Sequence, residues 1–171
     1  MNGFPISLQG FSLYLNALKE VGTVDVELPN IQFMTDTVTG SGIAGELEVP
    51  IAGLTKSMGI KIKKRAVNAQ FTTLLAPITH QLAFRGNLQM ADPGSPIGRM
   101  RNRKIRIMAK VTPKNKNLGK AETAKAMDTE AEFEVISLRV FVDEIENLHI
   151  DKLNNKFVVD GVNYLEDDDF L

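Results

Sequence analysis

The chain has 171 residues, 43% of them hydrophobic and 24% charged, the proportions of a globular protein and not of a disordered one. Its length predicts one domain, 1–171, with a core large enough to need no disulfide or metal staple. With no cysteine, a disulfide scaffold, a cysteine zinc cluster and thiol catalysis are excluded. No apolar run approaches the ~18 residues of a membrane helix, and Met1–Glu20 lacks the basic start of a signal peptide. The net charge of −1 hides three blocks. Residues 1–48 carry one base and six acids, residues 49–125 sixteen bases and two acids, and residues 126–171 three bases and thirteen acids. Acidic flanks around a basic middle suggest self-complementarity, within one subunit or between copies.

In chain order, the pattern predicts mostly strands. Val21–Leu28 alternates apolar and polar residues and stops at Pro29. Ile31–Thr39 puts Thr35, Thr37 and Thr39 on one side of the pleat, and Glu46–Val49 alternates again. These two strands read as a long hairpin arm, about 31–51, with a glycine-rich tip at Gly40, Ser41, Gly42, Ile43, Ala44 and Gly45. Thr55–Lys64 is a strand with Met58, Ile60 and Ile62 opposite Lys61 and Lys63. A helix over about 68–76 follows, N-capped by Asn68, striped by Phe71, Leu74 and Leu75, and ended by Pro77. His80–Met90 is a strand, Asp92–Gly98 a loop, Arg103–Thr112 a strand alternating basic and apolar residues, and Pro113–Ala124 a polar, mobile loop. Strands from Glu130 to about Val142 and from Glu146 to Leu153 precede a short hairpin, Phe157–Leu165, turning at Asp160-Gly161. The end is acidic, Glu166–Asp169. Seven or more short strands and one helix imply a mainly β fold, an antiparallel β-barrel or sandwich with one packed α-helix and a long hairpin arm.

Little in the sequence looks like a reaction centre. Gly40 to Gly45 matches G-x-G-x-x-G literally, but a strand, Glu46–Val49, follows where a dinucleotide site needs a helix, and no acid lies between Val49 and Ala91. A hairpin tip that exploits the backbone freedom of glycine accounts for it better. His80 and His149 sit inside strand patterns with no second ligand at metal spacing. Asp143, Glu144 and Glu146 crowd near a turn, where one carboxyl could have a raised pKa, but the sequence pairs none of them with a catalytic partner. The bases Arg99, Arg101, Arg103, Lys104 and Arg106 could grip phosphates, yet no aromatic residues interleave them and no recognition helix accompanies them. No cofactor and no metal ion is implied, and the residues point away from an enzyme. Read without further comparison, they leave open a monomeric or dimeric β-barrel binding module for a small apolar ligand or an acidic polymer.

Three stretches carry a resemblance to a known family. Val26-Glu-Leu-Pro-Asn-Ile31, the glycine-rich tip Gly40–Gly45, and Ile150–Asn154 followed by Val159-Asp-Gly-Val-Asn-Tyr-Leu165 occur in the order and spacing of the major tail tube protein of contractile-tailed phages and phage-tail-like bacteriocins. The chain resembles that protein over roughly residues 20–165. The resemblance implies a structural subunit of a virion tail or tail-like particle. It would assemble with itself into hexameric rings, stacked as a hollow conduit for DNA or a tape-measure protein. It also implies a surrounding sheath that contracts, with baseplate and terminator proteins at the ends, all put together in the cytoplasm of a bacterial host. The glycine tip would then reach between rings. A side-chain period of two makes Thr35, Thr37, Thr39, Glu46 and Glu48, then Lys104, Arg106 and Lys110, and then Glu130, Glu132 and Glu134 the candidates to line the lumen. Their alternating partners, Leu47, Val49, Ile105, Ile107, Val111, Phe133 and Val135, would face the core, and the bases would pair across strands with the Glu130–Glu134 row.

Overall fold

A computed structural model describes residues 4–19, 24–91 and 100–165. Its elements in chain order are β1 (Phe4–Leu15), β2 (Leu18–Lys19), β3 (Val24–Glu27), β4 (Phe33–Val38), β5 (Leu47–Thr55), β6 (Gly59–Lys64), α1 (Ala69–Thr73), β7 (His80–Ala91), β8 (Met100–Asn117), β9 (Thr129–Val142), β10 (Ile145–Asp151), β11 (Lys156–Val159) and β12 (Val162–Asn163). Among the described residues, ten strands form one sheet in the order β12-β11-β10-β9-β8-β7-β1-β2, with β3 and β6 added where β6 pairs with β9. Every described pairing is antiparallel. The architecture is the expected mainly β one. The acidic end Glu166–Asp169, the Asp92–Gly98 loop and the side chains of Arg99 and Arg101 lie outside the described residues.

The sheet folds over itself because β9 changes partner along one edge. Its first half, Thr129–Glu134, pairs with β6, and its second half, Ser137–Val142, with β10. The carbonyl of Ile136, between the two halves, accepts from the Lys152 amide at 3.1 Å. The side chains on the concave side then meet in one core, in which Met58, Ile62, Phe71, Val111, Phe133, Val135 and Leu138 are essentially inaccessible. Burial on β9 alternates over Thr129–Val135 and shifts by one at Ser137–Leu138, so the bend moves the core face from odd to even positions.

Turn chemistry sets several of the hairpins. Asp160 and Gly161 have φ of 48° and 86°, and Asp143 and Glu144 have 50° and 68°. Paired positive φ values of this kind match the right-handed twist of the flanking strands. Asn16 and Ala17 make the same turn between β1 and β2, and the Asn16 side chain ties it to β7 by accepting from the Gln81 amide at 2.8 Å. At the base of the arm, Gly53 has φ of 75°, and a Cβ there would fall 2.6 Å from Leu165. No larger residue allows that close approach.

Two parts depart from the sequence expectation. No element was assigned before Val21, yet β1 runs from Phe4 to Leu15 along β7, with register shifts between Pro5 and Ser7 and between Leu8 and Gly10. Those shifts break the period that would have announced the strand. The segment read as a mobile loop from Pro113 begins as strand, because β8 continues to Asn117 beside β9. Pro113 is tolerated since it sits at a register shift and beyond the last residue of β8 that pairs with β7.

The helix is one turn shorter than the pattern suggests. Asn68 caps it, its side chain accepting from the Phe71 amide at 2.7 Å. Phe71 and Leu74 are buried, whereas Leu75 is 41% exposed, since the helix ends at Thr73 and Leu75 no longer follows its face. Lys116 holds the helix from β8, its ammonium donating to the Phe71 carbonyl at 3.3 Å and lying 4.5 Å from the centre of the Phe71 ring. Burial pushes that ammonium below the ordinary lysine range. Replacing Leu74 by Ala should cost the dissociated subunit ~2–5 kcal/mol, and Leu75→Ala under ~1 kcal/mol, both read from urea unfolding. Equal losses at the two positions would contradict the observed packing.

Candidate functional site

The side of the sheet turned away from the core is polar and continuous. On β9, Glu130, Glu132 and Glu134 alternate with the buried Ala131, Phe133 and Val135. On β6, Lys61 lies opposite Glu132 and Lys63 opposite Glu130. The Lys61 ammonium is 2.7 Å from Glu132 and 3.8 Å from Glu130. Lys63 is 2.6 Å from Glu27 on β3. Lys152 reaches Glu134 at 3.6 Å, and the Ser57 hydroxyl donates to Glu134 at 2.7 Å. The acidic row is thus matched by lysines of β6 and of the turn after β10. These lysines were legible in the Lys61-Ile-Lys63 alternation, but the pairing needs the β6–β9 register to see.

The basic row lies on the same side of the sheet but in a different register. Glu130, Glu132 and Glu134 face Asn117, Asn115 and Thr112 of β8, while Lys104, Arg106 and Lys110 run beside the second half of β9. The expected pairing of these bases with the glutamates is therefore not what forms. Arg106 lies opposite Phe141, its guanidinium 4.4 Å from the ring centre, and Arg139 lies 5.1 Å from the same ring. Arg85 on β7 lies 4.6 Å over Tyr14 of β1. The ammonium groups of Lys104 and Lys110 have no carboxylate partner among the described residues. Two of the three crowded acids, Asp143 and Glu146, are neutralised individually. Asp143 meets Arg103 at 3.1 Å and accepts from the Lys104 amide at 3.1 Å, while Glu146 pairs with Arg139 and lies 3.4 Å from His149.

The hairpin arm is the second feature. β4 and β5 pair with each other alone, in a two-stranded sheet of their own, and Gln32–Ala52 is exposed throughout. Register puts Asp36 against Val49 and Val38 against Leu47 on one side, and Thr35 against Pro50 and Thr37 against Glu48 on the other. Thr39 and Glu46 continue toward the tip, where Gly42 and Gly45 take φ of 101° and 117°. Leu47 and Val49 do not face a core as expected. They are 54% and 40% exposed, because no described residue covers the arm beyond its base. There, Phe33 meets the Phe157 ring at 5.5 Å. Of the other expected core partners, Val111, Phe133 and Val135 are buried, and Ile105 and Ile107 are half-buried.

No enclosed apolar cavity accompanies these surfaces among the clefts described. The cleft of about 420 Å³ beside Asp25, Lys63 and Arg65 is open and edged by charge, unlike the enclosed apolar pocket a small apolar ligand takes. His80 is fixed by Asn16 and by the Ala76 carbonyl, each at 3.0 Å, which makes it a satisfied core histidine.

A β-sheet subunit with a polar face and an uncovered arm belongs among proteins that build larger structures. The chain belongs to the family described as phage tail tube protein FII, whose model matches residues 5–168, and is a structural tail-tube protein. No curated protein matches it in sequence. Its fold is similar to a chain in the cryo-EM structure of the sheath/tube terminator of PVC, an extracellular contractile injection system, in the extended state. That likeness has a TM-score of 0.54 at 12% identity over 81% of this chain and 96% of that one. A chain in the extended sheath-tube complex of PVC is similar with a TM-score of 0.52 at 12% identity, over 83% of this chain and 93% of the other.

The ion pairs of the polar face give a pH signature. A hydrogen bond from Lys63 holds the Glu27 carboxyl below its ordinary 4.5, and one from Lys61 does the same for Glu132. Bonding to those glutamates holds Lys61 and Lys63 above their ordinary 10.5. The glutamates contribute stability that is full above 4.5 and lost as pH falls through their folded-state values. The lysines contribute stability that is full below 10.5 and lost as pH rises through theirs. Urea midpoints should therefore fall at both edges, and Lys61→Met should flatten both. The groups are exposed, so the effect is small and shrinks with salt. An unchanged pH profile in the variant would contradict the pairing.

Proposed function

We propose that the chain is one domain that assembles with its own copies into stacked rings forming a hollow tube, with the polar face of the sheet lining the channel. The observation that carries this is the arm, an unbroken exposed stretch from Gln32 to Ala52 that includes seven large apolar residues. A two-stranded ribbon is marginal in water, and an apolar surface of this kind marks a contact with another chain. Stacking supplies that contact, with the Gly40–Gly45 tip reaching toward a neighbouring ring.

Glu130, Glu132 and Glu134, together with Lys104, Arg106 and Lys110, are the residues assigned to the channel wall. Their common side of the sheet and the matching of the acids by lysines support that assignment. Only the acidic half of that wall is matched by lysines; a wall that sets glutamates beside bases attracts a passing polyanion less than a continuous basic stripe does, so the conduit suits either DNA or a tape-measure protein. No binding chemistry is needed for either, and the subunit is not an enzyme. A contractile sheath around the tube, with baseplate and terminator proteins at its ends, completes the proposed particle, put together in the cytoplasm of a bacterial host. The fold shared with chains of a sheath-tube complex and of a sheath/tube terminator supports the sheath and terminator as partners.

Gly42→Pro is the direct test. Gly42 has φ of 101° with open space around it, whereas proline requires a φ near −65°, so the tip must rearrange while the sheet remains intact. Negative-stain microscopy should show tubes for the unmodified chain and none for the variant, with an unchanged melting temperature. Tubes of normal appearance from Gly42→Pro would contradict the role of the tip, and a monomeric unmodified chain would contradict the tube itself.

A further inference from the structure

The core face of the sheet extends past what the described residues cover. One cross-strand row, Leu15–Leu82–Ala109–Leu138–Ile150, is buried along its whole length. Four residues further along β1, β7, β8 and β9, the row is Phe11–Gly86–Ile105–Val142–Ile145. It is equally apolar, yet Phe11 is 41% and Ile145 67% exposed. Leu8, 45% exposed, lengthens it, because the register shift before Gly10 returns Leu8 to this face opposite Leu88. Gly86 lets the strip close up, since a Cβ there would meet the Leu8 side chain at 2.9 Å and the Phe84 ring at 3.2 Å. The result is a filled apolar floor that no described residue covers.

We infer that this strip is the seat for the hairpin arm of a second copy of the chain. The inference rests on the tube reading above and names the surface that receives the arm. Two properties of the arm select it as occupant. One side of the ribbon, with Val38, Leu47 and Val49, is apolar and exposed, so laying it on the strip removes both surfaces from water in a single contact. The charges also agree. Residues 31–55 contain three acids, Asp36, Glu46 and Glu48, and no base, while Arg103 on β8 puts a base on the strip's own face. Asp36 shares the apolar side of the ribbon with Val38 and Val49, and Arg103, opposite Leu88 on the strip's own face and already paired with Asp143, is the base it would share. The arm and the strip are different surfaces of one chain, so the contact is heterologous and leaves each copy with one free donor and one free acceptor, which propagates. Seated this way, the Thr35, Thr37 and Glu48 side of the arm points away from the receiving sheet. The channel wall is then left to the two charged rows of the sheet itself.

Because the chain has no cysteine, the contact can be trapped covalently. Chains carrying both Val49→Cys and Ile145→Cys, assembled and then oxidised, should give a ladder of covalent multimers on denaturing gels. Neither single variant should extend beyond a dimer. A control pair, Val49→Cys with Ile78→Cys, places the second thiol at another exposed apolar residue outside the strip and should give no ladder. Ile145→Asp should leave the melting temperature unchanged and raise the protein concentration needed for assembly at least tenfold. Tubes that form from the first double variant without a ladder, or a ladder from the control pair alone, would overturn the seat and leave the tube reading standing. An unmodified chain that forms no tubes would overturn the tube reading, and the inference with it.

Discussion

The ladder between β8 and β9 is the constraint on which the rest of the molecule depends. It joins the two longest strands, and its register shifts, after Lys110 and after Pro113, decide which side chains share a face. Because β9 gives its other edge first to β6 and then to β10, the same ladder forces the sheet to bend and closes the core around Phe133, Val135 and Leu138. It also divides the polar face into an acidic half matched by Lys61 and Lys152 and a basic half stacked on Phe141. A slip of one residue would exchange the two faces of β9, putting Phe133 in water and Glu132 in the core.

The subunit satisfies itself over only part of its surface. The core, the capped helix and the ion-paired face are complete within one chain. The arm and the apolar strip at the end of the core face are not, and both would favour aggregation if they stayed exposed. Contact between copies would remove that liability at both places, which is the physical argument for the proposed assembly.

Much of this was legible in the sequence, for identifiable reasons. The Asp160-Gly161 turn, the Asn68 cap and the alternation of Glu130–Val135 are local rules, and the structure contains each of them. β1 was not legible because its register shifts at Ser7 and Gly10 scramble the alternation over Phe4–Leu15. Leu75 looked like part of the helix stripe because periodicity does not show that the helix stops at Thr73. The partners of the glutamate row were missed for a different reason. Lys61 and Glu132 are far apart in the chain, and nothing local says that β6, and not β8, presents its bases to β9. The two alternating runs around the Gly40–Gly45 cluster located the arm, but the contrast between its apolar and polar sides follows from the register of β4 on β5.

A cryo-EM reconstruction of the assembled chain tests the central claim most directly. The account predicts a hollow tube of stacked rings in which Glu130, Glu132 and Glu134 face the channel and residues 33–49 of each copy are buried against another copy. A closed dimer, a monomer with the arm in solvent, or a tube whose channel is lined by the apolar strip would contradict it.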